Sequence, residues 1–216
     1  MTLASSHPST FKRNQLDGAL YALFSGPPRS VSERLDQPVP SAFRTRIKRL
    51  LELDRDLAPT VGTDFAFHDA AAPGKGNDVT YTDYRAFNVA VALELVRFGC
   101  KQLEVVEKVL ELEPKLRKAF DQIAKTYTTR GRSSETTDKK DRKLYLIVSQ
   151  IERPELDLMA ASLIEVEIAE GVLDLQGRLD RLLPKVMFGA FVLEISELAA
   201  RLTELLKALP PTRRGR

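Results

Sequence analysis

Ser41-Ala-Phe-Arg-Thr-Arg-Ile-Lys-Arg-Leu-Leu-Glu-Leu-Asp-Arg55 is the stretch on which the reading of this chain turns. Phe43, Ile47, Leu50, Leu51 and, just beyond, Leu57 fall within one arc at about 100° per residue, which predicts a helix with a single buried face. Ser41 is its candidate N-cap. Five cations (Arg44, Arg46, Lys48, Arg49, Arg55) stand in this stretch against two carboxylates, Glu52 and Asp54. Arg44, Lys48 and Arg55 cluster at one margin of the apolar arc, Arg46 and Arg49 at the other. A helix with a buried face between basic margins suits the phosphates of a nucleic acid. Read as a plain amphipathic helix, the same pattern gives only a solvated basic face.

Working outward, Phe65-Ala-Phe-His68 and Val79-Thr-Tyr81 alternate aromatic or β-branched residues on either side of Ala72-Pro-Gly-Lys-Gly-Asn77. This predicts a two-stranded wing that brings Lys75 and backbone amides to a DNA phosphate. The Gly-Lys-Gly tip lacks the spacing of a P-loop. Thr82 then caps a helix to Phe98, with Phe87, Val91, Leu95 and Phe98 at helical spacing and Gly99 as its stop. From Lys101 a further helix carries Val105, Val109, Leu112, Leu116, Ala119 and Ile123, a heptad seam open to self-association. Pro114 is expected to kink or divide it.

The run Tyr81-Thr-Asp, the helix Ala86 to Phe98, Gly99 and Leu103-Glu-Val-Val-Glu-Lys-Val-Leu110 resemble the segment after the wing in MerR-like regulators. The resemblance covers about residues 41–112, roughly a third of the chain. It implies a winged helix-turn-helix fold, dimeric binding of double-stranded DNA and control of transcription. The first helix and its proline-rich connection are longer than that family's compact motif, Asn88 stands where a basic residue is common, and one cysteine does not make a thiolate metal site.

Toward the N-terminus, residues 1–8 read as a disordered leader. Ser9 or Thr10 caps a predicted helix over about 10–24, with Phe11, Leu16, Leu20 and Leu23 on its apolar face and Gly26-Pro27-Pro28 as its end. The winged domain is thus expected over 9–127. Residues 128–142, hydroxyl-rich and polar, read as a linker. Beyond it a small β-β-α-β-α module is expected over 143–209, before a basic tail at 210–216. Its elements are a continuous apolar strand Leu144–Ile151 and an alternating strand Leu163–Ile168 with Glu165 and Glu167 outward. A helix after Gly171, a strand Ala190–Ile195 and a helix capped by Ser196 complete it. The fold class is therefore α+β, and the module is a candidate for ligand binding, dimerisation or contact with RNA polymerase.

The net charge is only +3, yet residues 144–212 hold eleven carboxylates against six cations. One half suits phosphate and the other does not. The single Cys100 allows no internal disulfide, which fits a reducing compartment, and with no signal segment or apolar run of about 20 residues a cytoplasmic protein without a membrane partner is expected. Only His7 and His68 are available as histidine bases, and no H-E-x-x-H or C-x-x-C spacing occurs. No catalytic residue, cofactor or metal is expected. The alternative to DNA binding is a protein-interaction adaptor using the heptad seam and the acidic module.

Overall fold

The computed structural model describes residues 10–25, 33, 35–61, 65–69, 79–129, 143–151, 163–182 and 186–209. It is a mixed α+β chain in two compact units, Met1–Glu113 with Ala200–Arg216, and Pro114–Ala199. Where the sequence reading sets the boundary at 128–142, this division falls inside two helices.

In the first unit, β1 (Thr10–Lys12) leads into α1 (Arg13–Phe24), followed by α2 (Ser41–Val61), β2 (Thr80–Thr82), α3 (Asp83–Phe98) and the start of α4 (Gln102–Thr129). β1 and β2 pair antiparallel, Phe11 opposite Tyr81. Each strand turns straight into a helix through a local hydrogen bond. The Lys12 N–H donates to Gln15 Oε1 at 2.9 Å, and the Arg85 N–H donates to Thr82 Oγ1 at 3.3 Å. The first helix therefore begins at Arg13, not at residue 10. Phe11, buried all the same, enters the core from a strand.

α3 is apolar around most of its circumference, and every residue from Tyr84 to Leu93 is buried. A helix of that character is the centre of its unit. Gly99 ends it with φ 109°, and its N–H reaches Val96 O at 3.1 Å. A side chain would strain this left-handed cap.

One expectation fails here, and of the kink or division expected at Pro114 the division does not occur. The segment 65–69 forms no strand, and the strand that contains Tyr81 pairs with β1 instead. The predicted wing of Phe65–His68 against Val79–Tyr81 is thus not formed. Pro114, in turn, does not divide α4, which runs unbroken to Thr129. A helix-interior proline costs about 3 kcal/mol. Leu112 and Leu116, on either side of it, are both buried and offset that cost at about 1.5–3 kcal/mol each. All six seam residues from Val105 to Ile123 are buried within the chain, so the seam is not available for self-association.

The second unit holds β3 (Leu144–Ile151), β4 (Leu163–Glu170), α5 (Gly171–Leu182), β5 (Val186–Glu194) and the start of α6 (Ile195–Ala208). The sheet order is β4-β3-β5, with both outer strands antiparallel to β3. Tyr145 and Ile147 pack with Ala169 and with Leu175, Leu179 and Leu182 of α5. On the opposite face Leu144, Leu146 and Val148 are buried as well. Burial on both faces explains the continuous apolar run of β3.

Glu167 lies opposite Ile147 and accepts from Arg178 of α5 at 2.9 Å, so the expectation that it faces outward is corrected to the face that α5 covers. The Ser196 hydroxyl accepts the Leu144 N–H at 2.8 Å, and α6 starts one residue earlier, at Ile195. The fifth strand likewise begins at Val186 rather than Ala190.

Candidate nucleic-acid interface

α2 seats its apolar arc firmly. Ile47 and Leu50 are fully buried, and Phe43 packs edge-on against Tyr21 with ring centres 5.5 Å apart. That seating turns Arg44, Arg46, Lys48 and Arg49 outward, and all four are exposed. Lys48 approaches Glu52 at 3.5 Å, a solvated pair that contributes little. Among the described residues Arg46 and Arg49 meet no carboxylate. Arg55 is half-buried. Lys75 lies outside the described residues.

The two margins of α2 differ. Arg44, Lys48 and Arg55 line one cleft of about 520 Å³ together with Arg13 of α1 and Tyr81 of β2. Arg46 and Arg49 do not take part in it. Asp17 and Glu52 are the carboxylates of the cleft. Asp17, 6 % exposed, is held by Arg13 at 2.7 Å. Burial raises the Asp17 carboxyl above its usual range, opposed by Arg13 and then Arg44. Burial likewise raises the Tyr81 phenol, opposed by Arg13 and Arg55. Among the described residues the buried Nε of Arg55 has no hydrogen-bond partner. Sequence spacing finds the division of the cations between the two margins. It does not find Arg13 or Tyr81, which come to the cleft from other elements.

The same helix is anchored by a buried acid that the sequence reading counts only as charge. Asp54 is fully buried and accepts the N–H groups of Ala66 at 2.7 Å and Phe67 at 3.0 Å. Its Oδ2 also lies 2.8 Å from His68 Nδ1. From the other side, Arg85 donates to Phe65 O at 2.7 Å and Ala66 O at 3.2 Å, and Asn88 donates to Ala66 O at 2.9 Å. A signal for Asp54 exists: it stands four residues after Leu50, on the buried arc. His68 is 2 % exposed, and among the described residues its buried Nε2 has no hydrogen-bond partner, so no described nucleophile meets this carboxylate–imidazole pair.

Cys100 is buried, and burial followed by Glu104 raises its thiol above the usual range, the opposite of a reactive cysteine. Among the described residues no group of three metal-ligating side chains gathers, and no helix is long and apolar enough to cross a membrane. No protein-family model matches this chain, and no curated protein matches it.

Proposed function

We propose that this protein binds duplex DNA as a transcriptional regulator, with α2 as the helix that meets the duplex. The observation that carries the reading is that Arg44, Arg46, Lys48 and Arg49 are all exposed within two turns of a helix whose opposite face is core. Their charge is scarcely spent on intramolecular partners, and unpaired cations on a rigid element are what phosphate neutralisation requires. The MerR-like resemblance over 41–112 supports the same class. In this reading the β1–β2 ribbon stands where the expected wing does not form, and Lys75 is a further backbone contact. Dimeric binding would use a surface other than the buried seam of α4, and contact with RNA polymerase belongs to the second unit.

One observation favours the adaptor reading: Val172 and Leu173 of α5 are 46 % and 81 % exposed, an apolar step that suits a protein partner. Fluorescence anisotropy with duplex DNA at several salt concentrations separates the two. Replacing Arg44, Arg46, Lys48 and Arg49 together by Gln is expected to lower the salt slope by about one unit per lost phosphate contact. Affinity unchanged in that variant, with its helical circular dichroism intact, rejects DNA binding through α2.

A further inference from the structure

We infer that the outer edge of β4 is a docking site for an extended, acidic segment of a partner protein, which adds to the sheet as a fourth strand between α4 and α5. The site lies wholly within the second unit and is independent of DNA binding by α2.

The Gly171 N–H donates to Lys143 O at 2.7 Å, which makes these two residues a hydrogen-bonded pair at the end of the β3–β4 ladder. Such pairs recur at every second residue of an antiparallel ladder, so Ala169, Glu167 and Glu165 turn their backbone groups toward β3. Val166 and Ile168 turn theirs away. Glu170 has the same outward phase, and its N–H finds a side chain instead, Asp174 Oδ2 at 2.9 Å. Among the described residues Val166 and Ile168 have no such substitute. β4 is an edge strand of its sheet, and outward N–H and C=O groups in line are a template for another strand.

What lies beside this edge selects the strand. Glu167 and Ile168 belong to opposite faces of β4, the first opposite Ile147 and the second opposite Leu146, yet both line one cleft of about 530 Å³. The cleft therefore straddles the edge. α5 brings Arg178 and Arg181 to it on the face of Glu167, and α4 brings Lys115 and Lys118 beside Leu144 and Ile168. Arg178 already holds Glu167 at 2.9 Å, whereas Lys115, Lys118 and Arg181 are exposed and bonded to no carboxylate among the described residues. Glu170, at the end of the strand, is the other acid of the cleft.

Cations alone would suit a nucleic-acid backbone equally well. The open edge does not, because its N–H and C=O groups alternate along a line and an extended polypeptide returns both in that order. Side chains of an added strand alternate between faces, so acids at successive positions both meet cations, Arg181 on one face and Lys115 or Lys118 on the other. An acidic run, rather than an acidic–apolar alternation, is the matching sequence.

The experiment uses the full chain, a fluorescein-labelled peptide of about eight residues rich in consecutive glutamates, and the same peptide with alternate backbone amides methylated. Saturable anisotropy with the first peptide, and amide hydrogen exchange slowed about tenfold or more at Val166 and Ile168 when it binds, are the results expected. Methylation keeps every charge and removes the hydrogens that pair strands, so it should abolish binding. Lys115→Gln together with Lys118→Gln should weaken binding about three- to tenfold, as exposed rim charges do. Ile168→Pro removes an outward N–H without touching a ladder bond and should abolish binding. If that variant does not fold, the methylated peptide and the double lysine variant carry the test.

Equal affinity for the methylated peptide, or binding without protection of Val166 and Ile168, overturns strand addition and leaves only attraction between charges. An acidic peptide that does not bind the wild-type chain, or Val166 and Ile168 amides already protected without it, overturns the site. Displacement of the peptide by duplex DNA that is lost in the double lysine variant assigns the cleft to nucleic acid and likewise overturns it. Peptide binding should be unchanged when Arg44, Arg46, Lys48 and Arg49 are replaced by Gln, so a failure of DNA binding through α2 leaves this site standing.

Discussion

Residues 65–69 and strand β2 carry the same kind of signal, aromatic residues in alternation beside a turn-rich loop, and the protein treats them differently. β2 satisfies its backbone by pairing with β1. Residues 65–69 satisfy theirs with buried side chains, the N–H groups on Asp54 and the carbonyls on Arg85 and Asn88. The two segments do meet, but ring to ring, with His68 and Tyr81 centroids 5.8 Å apart. Alternation reports that a segment is half-buried. It does not report what its backbone bonds to, because a buried charge far along the chain serves a peptide group as well as a strand does.

The strongest way to break this contrast is Asp54→Ala. Two buried N–H groups and the His68 ring lose their only shared acceptor, and a loss of about 3–5 kcal/mol is expected. Urea unfolding should show it as a lower midpoint with an unchanged slope. A loss below about 1 kcal/mol would mean that residues 65–69 hold their place without Asp54.

Arg85→Met should follow, at about 2–3 kcal/mol in the same assay. It strips donors from Phe65 O and Ala66 O while keeping an apolar stem of similar length, and it also frees Asp69, bonded to Arg85 Nε at 3.0 Å. If the Arg85 variant lost more than the Asp54 variant, the carbonyl side of the segment would be the stronger tether.

What could be read in the sequence divides along the same line. α3 and its stop at Gly99 announce themselves because neighbours a few residues away fix them, and β3 and β4 announce themselves because their apolar patterns mirror which faces are buried. β1 does not, because three residues ending in a helix cap look like the first turn of that helix. The continuity of α4 is hidden by Pro114, whose local penalty is visible while the burial of Leu112 and Leu116 that offsets it is not. For the candidate interface, the arc places Arg44, Lys48 and Arg55 on one margin and Arg46 and Arg49 on the other. That Arg13 and Tyr81 join the first group depends on tertiary packing, which no helical period encodes.

The mildest change sharpens the comparison most finely. Asn88 donates to Ala66 O, but among the described residues its own buried Oδ1 has no partner. Asn88→Ala removes a hydrogen bond of about 1 kcal/mol together with an unsatisfied acceptor of at least similar cost. Ala66 O keeps its bond from Arg85 at 3.2 Å, and alanine is the better helix former by a few tenths of a kcal/mol. These terms oppose the small void left behind, so stability should change by less than about 1 kcal/mol. A loss beyond about 2 kcal/mol would show that Asn88, and not Arg85, holds the Ala66 carbonyl, and would shift the account of this segment from its charged partners to its neutral one.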